Sequence, residues 1–182
     1  IVAPLIPTIN DNTLQWYNGN LGDRRPQMKL LYDHDFGYGY RLQIQNGIAL
    51  ADAINSADID ADLERDNEAT GIPGYQGRIG VVLPTVYCNQ VVMAGVWGIW
   101  AREETAVPVA GKSQFTSLGF GADLRFPIND YLAVQSEIWW GSNIDDYRGG
   151  IAQGINRLTG QEIESRGGWA ELVFRPVPWY QG

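Results

Sequence analysis

The segment at residues 117–140, SLGFGADLRFPINDYLAVQSEIWW, alternates apolar and polar side chains on both sides of a short Pro-Ile-Asn-Asp turn. Successive side chains of a strand point to opposite faces, so a period of two sorts each run into two sets. Residues 117–128 put Leu118, Phe120, Ala122, Leu124, Phe126 and Ile128 on one face and Ser117, Gly119, Gly121, Asp123 and Arg125 on the other. Residues 131–140 set Leu132, Val134, Ser136, Ile138 and Trp140 against Tyr131, Ala133, Gln135, Glu137 and Trp139. The two runs predict an antiparallel hairpin with one greasy and one polar face.

The same pattern recurs along the chain. Tyr40, Leu42 and Ile44 oppose Arg41, Gln43 and Gln45; Ile79, Val81 and Leu83 oppose Arg78, Gly80 and Val82; Ala170, Leu172 and Phe174 oppose Trp169, Glu171 and Arg175. Residues 28–35 alternate less cleanly, residues 91–103 are apolar on both faces and read as strand from their Val and Trp content, and residues 13–17 suit a short strand. These runs make about eight strands, many near the roughly 9–11 residues that a tilted strand needs to cross a bilayer. The 22 Gly and the 16 Trp plus Tyr (7 and 9) point the same way, toward an all-β chain. A length of 182 residues suits a single domain, or one piece of a larger one.

Charge and rare residues narrow the function. With 21 acidic and 13 basic residues, a net charge of -8 and no basic stripe, the chain lacks what neutralises nucleic-acid phosphates. Cys88 and His34, alone of their kinds, give neither an internal disulfide nor a zinc ligand set, and no metal or cofactor is expected. Uncharged apolar stretches long enough for a membrane-crossing helix are missing, which leaves membrane-crossing strands open. A first residue of Ile1, with no charged-then-apolar leader, predicts either a removed signal peptide or a fragment.

The connections alternate in length. Residues 36–38, 84–89, 127–130 and 177–178 are short, whereas residues 51–75, 105–114 and 141–162 are longer. Short turns at one end and long loops at the other is the pattern of an outer-membrane barrel. In a soluble sandwich or barrel, the apolar sets would face a core and the polar sets water. Two features favour lipid over a core. The apolar sets carry Trp100, Phe126, Trp140 and Phe174 near strand ends, where amphipathic rings meet lipid headgroups. The polar sets mix both charge signs with Gly and Gln, which suits a watered lumen.

Longer motifs add a resemblance. QGRIGVVLP, VVMAGVWGIWAREE and YRGGIAQGINRLTGQEIESRGGWAELVFRP are similar to strands and loops of large porin-like outer-membrane proteins of planctomycetes and some other Gram-negative bacteria. Their GGIGQGIN-like external loop falls on residues 149–156, and their GGW strand on Gly167, Gly168 and Trp169. RRPQ at residues 24–27, after LQWYNGNLGD, resembles an earlier part of the same proteins. The resemblance covers most of the chain from Leu14 and implies an outer-membrane β-barrel. One departure is the carboxy end, PWYQG, where such barrels finish on an aromatic residue; strands are expected to be missing from both ends, with this chain part of a larger barrel.

Three other constellations have ordinary explanations. Residues 58–66, DIDADLERD, space carboxylates as calcium loops do but lack the central Gly and closing Glu, so a solvated loop is expected. Residues 144–156 have glycines spaced somewhat like a dinucleotide fingerprint, without the helix that must follow. A loop folded inward over a lumen fits better, with Asp145, Asp146 and Arg148 at a constriction. Asp123 and Glu137, or Glu103 and Glu104, resemble a glycosidase pair, but no nucleophile with an activating neighbour accompanies them, and no enzyme is expected.

The sequence thus predicts an antiparallel transmembrane β-barrel of porin type in a bacterial outer membrane. Its partners would be the lipid bilayer and small hydrophilic solutes or ions, with a homo-oligomer or larger envelope complex possible. The expected pore-lining set is Arg41, Gln43, Gln45, Arg78, Asp123, Arg125, Gln135, Glu137, Glu171 and Arg175, with Asp123 and Glu137 facing Arg125. A soluble ligand- or glycan-binding barrel or sandwich, and a non-conducting structural barrel, are the alternatives.

Overall fold

The computed structural model describes residues 26–49, 70–86, 90–147 and 154–174. Nine strands follow in chain order: β1 Gln27–Gly37, β2 Tyr40–Ala49, β3 Gly74–Pro84, β4 Val91–Val109, β5 Lys112–Pro127, β6 Leu132–Ser142, β7 Ile155–Asn156, β8 Gln161–Glu162 and β9 Glu164–Phe174. The fold is all-β. β1 to β6 and then β9 form one antiparallel meander of seven strands, and β7 and β8 form a separate small hairpin. Seven of the eight strands read from the sequence are therefore in this sheet, and the eighth, residues 13–17, lies outside the described residues. The sheet is not closed: among the described residues β1 and β9 each pair on one side only.

Turn chemistry sets the short connections. Tyr38 and Gly39 both have positive φ, 54° and 86°, the two-residue turn whose twist matches the flanking strands. At residues 128–131, Asn129 Oδ1 accepts the backbone N–H groups of Tyr131 and Leu132 at 2.8 and 2.9 Å. Gln90 Nε2 donates to the carbonyls of Asn129 and Asp130 at 3.1 and 2.8 Å, tying the ends of two neighbouring connections together.

One loop expectation is overturned. Residues 105–114 are not a long loop; β4 and β5 run on to a two-residue turn at Ala110 and Gly111, with φ of 51° and 84°. The register slips between Glu104 and Val109, where Pro108 has no N–H to give a ladder. β4 and β5, at 19 and 16 residues, are the longest strands described. The segment after β6 does depart from plain strand. It makes a 3-10 turn at Asp145–Tyr147, then the β7–β8 hairpin.

Register defines the two faces. One rung runs Tyr32, Ile44, Ile79, Val96, Ala122, Ile138, Gly168, and the rungs around it carry Tyr75, Trp100 and Leu118, then Val81, Ala94 and Leu124, then Phe126, Val134 and Leu172. This apolar face is the open one: Ile79 is 53% exposed, Val96 59%, Phe120 55% and Leu172 63%. The opposite face is covered from β3 to β9, and its polar side chains are the buried ones, with Gln135 at 2%, Glu137 at 1% and Arg78 at 6%. Part of the cover comes from Ile144 and Tyr147, which cluster with Trp97, Ile99 and Trp139. Ile155 of β7 packs with Val109 and Phe115. Removing a Trp or Ile side chain from water in these clusters contributes about 1.5–3 kcal/mol each.

Candidate functional site on the polar face of the sheet

Strand register carries nine of the ten expected lining residues to the same face. Arg41, Gln43 and Gln45 of β2, Arg78 of β3, Asp123 and Arg125 of β5, Gln135 and Glu137 of β6, and Glu171 of β9 all share it, because directly paired residues point the same way. Arg175 lies outside the described residues. Two rungs hold most of the set: Arg41, Val82, Met93, Arg125, Gln135, Glu171, and next to it Gln43, Gly80, Gly95, Asp123, Glu137, Trp169.

Asp123 pairs with Arg78 of β3, a partner that strand period alone does not give it. Arg78 Nε donates to Asp123 Oδ2 at 2.9 Å and Nη2 to Oδ1 at 2.5 Å, a bidentate pair that spans from β3 to β5. The guanidinium crosses β4 over Gly95, and a Cβ at Gly95 or at Gly80 would collide with it. Two glycines thus cut the bay in which this pair lies. With both partners largely buried, deleting either charge alone costs on the order of 3–5 kcal/mol, because the survivor is left unpaired in a poorly solvated site. Glu137 sits directly opposite Asp123, and its Oε2 accepts the indole N–H of Trp169 at 3.1 Å. At the open β1 edge the charges are wet instead: Arg41 lies 3.6 Å from Asp33, which also accepts from Gln43 Nε2 at 3.1 Å.

A second network fixes the inward segment after β6. Glu103 of β4, Ser117 of β5 and Asn143 are all fully buried. Ser117 Oγ donates to Glu103 Oε1, and Asn143 Nδ2 donates to Glu103 Oε2 at 2.7 Å and lies 3.1 Å from Ser117 Oγ. Asn143 N also donates to the Ile163 carbonyl at 3.0 Å, so both ends of the excursion are tied. Gly154 is required here, since a Cβ would overlap the side-chain oxygens of Asp145 and Asn143. Of the expected constriction residues, Asp145 is buried on this face; the side chain of Asp146, and Arg148 altogether, lie outside what is described.

The β7–β8 hairpin is held from the other side. Lys112 Nζ donates to Glu162 Oε1 at 2.6 Å, and the Thr116 N–H reaches the same oxygen at 3.2 Å. Partial burial pushes the Glu162 carboxyl up, but the Lys112 and backbone hydrogen bonds outweigh it and hold the group below the usual glutamate range.

Periodicity put Trp139 and Trp169 in the polar sets but did not assign Trp97, which lies in the run that is apolar on both faces. Trp97, Trp139 and Trp169 point to the polar side and are buried there. The signal that marks them is glycine opposite a large side chain: a Cβ at Gly121 would strike the Trp97 ring, and one at Gly119 would meet Ile99 at 2.9 Å. The acidic run at residues 58–66 lies outside the described residues. Among those described, no three His, Cys, Asp or Glu side chains gather as a metal site.

No protein-family model matches this chain, and no curated protein or solved structure does so either. The porin resemblance therefore rests on the short motifs quoted above.

Proposed function

We propose that the sheet is part of an outer-membrane β-barrel of porin type, with the open apolar face against lipid and the polar face toward a lumen that passes small hydrophilic solutes and ions. The carrying observation is the inversion of burial: Ile79, Val96, Phe120 and Leu172 are outside while Gln135, Glu137 and Arg78 are covered. A water-soluble sheet would leave an apolar surface several strands wide exposed to solvent, whereas monomeric soluble proteins rarely expose contiguous apolar patches larger than a few hundred Å².

The dimensions agree. From Leu118 to Phe126 the apolar set spans eight residue steps, about 27 Å along the strand, or about 21 Å along the membrane normal at the usual ~40° tilt. Exposed rings flank this span: Tyr75, Trp100 and Trp140 toward one end, Phe126, Tyr131 and Phe174 toward the other. Together they approach the roughly 25 Å band with aromatic girdles that such barrels carry. On the polar face, Asp33, Asp35, Asp123 and Glu171 are matched by Lys29, Arg41, Arg78 and Arg125, a wall that carries both charge signs.

Planar-bilayer recording of the full-length protein tests this reading. Channels are expected, with Glu171→Gln moving the reversal potential toward anions and Arg125→Gln moving it toward cations. Both positions are only part-buried, so folding survives the changes. The cluster of Trp97, Ile99, Trp139, Ile144 and Tyr147 on the polar face supports a second reading, a structural barrel whose interior is filled. A folded, inserted protein without channels would favour that one.

A further inference from the structure

The rim of the open face carries a groove that the proposed pore does not use. Its volume is about 520 Å³, and it is lined by Leu118, Phe120, Trp140, Ser142, Glu164 and Arg166. Two adjacent rungs build it: Leu118 with Ser142 and Glu164, and Phe120 with Trp140 and Arg166. The Phe120 and Trp140 rings stack with centroids 5.8 Å apart and planes 22° apart, giving an apolar wall. Gly141 and Ser165, which lie between these rungs and point to the other face, line its floor.

The polar end of the groove is unusual in its charges. Glu164 and Arg166 are two residues apart on one face of β9, so their Cα atoms stand about 7 Å apart. Opposite charges at that spacing are well placed to meet, yet among the described residues neither Glu164 nor Arg166 takes part in an ion pair, unlike Arg78 with Asp123 or Lys112 with Glu162. Both are exposed at the end of the apolar band, where a lipid headgroup would lie. A bare phosphate would be drawn to Arg166 and repelled by Glu164; a bare ammonium would meet the reverse. A headgroup bearing both charges satisfies both side chains, while its acyl chain lies along Phe120 and Trp140.

We infer that this groove is a binding site for a phospholipid with a zwitterionic phosphate–ammonium headgroup, phosphate to Arg166, ammonium to Glu164 and acyl chain against Phe120 and Trp140. The inference rests on the lipid-facing assignment of this face.

The test uses the full chain refolded in nanodiscs that contain dibrominated phosphatidylethanolamine or dibrominated phosphatidylglycerol, and reads the emission lost to bromine contact, with Trp140→Phe identifying the share due to Trp140. The surface contact of Glu164 with an ammonium, which phosphatidylglycerol lacks, predicts half-quenching of Trp140 at about threefold lower mole fraction for phosphatidylethanolamine. Glu164→Gln should abolish that preference, whereas Arg166→Ala, which removes the contact to a phosphate that both lipids carry, should weaken the quenching of Trp140 by both. Equal quenching of Trp140 by the two lipids would overturn the site while leaving the lipid-facing face intact. No quenching of Trp140 by either would overturn both. Quenching that fades as protein-to-lipid ratio rises, together with a doubled mass, would assign the groove to a second copy of the chain and overturn the lipid site.

Discussion

An arginine scan along the open face of β3 gives a result that separates lipid from water. Tyr75, Gly77, Ile79, Val81 and Leu83 share that face, and Ile79 stands four residues from each end of the series. If the face meets lipid, Ile79 is nearest the midplane, where Arg costs about 2–4 kcal/mol, and the cost falls to about 0–1 kcal/mol at the two ends. Taking ~3 kcal/mol at Ile79→Arg, the folded-to-unfolded ratio drops on the order of 150-fold, since about 1.4 kcal/mol is a factor of ten. If the face meets water, Ile79 is already 53% exposed and its replacement by Arg belongs among surface changes, within about 0.5 kcal/mol. The assay is reversible denaturant unfolding in lipid vesicles, each variant measured against wild type, with Thr116→Arg, on the same face but beyond the aromatic rung, as control. A flat profile, with Ile79→Arg within about 0.5 kcal/mol of Thr116→Arg, would refute the reasoning.

Other outcomes follow from the polar face. Asn143→Ala removes the donor that Glu103 holds and should destabilise the inward segment by about 1–3 kcal/mol, seen as faster proteolysis between β6 and β9 and, if the protein conducts, larger unit conductance. Gly95→Val thrusts a side chain into the Arg78 guanidinium; the loss should be about 1–3 kcal/mol or more in unfolding equilibria, and Asp123→Asn should add less to it than it costs alone, because the pair is already broken. Glu162 has a folded pKa below its ordinary value, so its contribution to docking the β7–β8 hairpin is present above roughly pH 4.3 and is lost as pH falls through the lower folded value; hydrogen exchange of the hairpin should rise there in wild type but not in Glu162→Gln. A cysteine at Leu158, 91% exposed, should react with an impermeant thiol label on intact cells, whereas one at Asn129 should stay protected.

The strands were legible because a period of two is imposed by the backbone, and it assigns each side chain to a face without knowledge of the neighbours. Residues 117–140 and 78–83 therefore place Asp123, Glu137 and Arg78 correctly on one side. What the period does not give is register across strands. Arg78 reaches Asp123 over an intervening strand, and only the alignment of Gly80 with Gly95 makes room, a coincidence visible once β3 and β4 are paired. The β4–β5 turn was misread because Pro108 and the polar residues after it resemble a loop, while the turn itself uses Ala110, a residue with no preference for positive φ. The buried Glu103, Ser117 and Asn143 network joins residues 14 to 40 positions apart in the chain and left no local mark.

Nitroxide labels placed one at a time from residue 117 to 126, in the full-length protein reconstituted into vesicles, test most directly which side of the sheet meets lipid. Collision with oxygen, which partitions into hydrocarbon, should be high at Leu118, Phe120, Ala122, Leu124 and Phe126 and low at the residues between them, in strict alternation. Collision with a water-soluble nickel chelate should be lowest at the first set throughout. Equal access of the chelate to Ala122 and Asp123 would contradict the assignment of the apolar face to lipid.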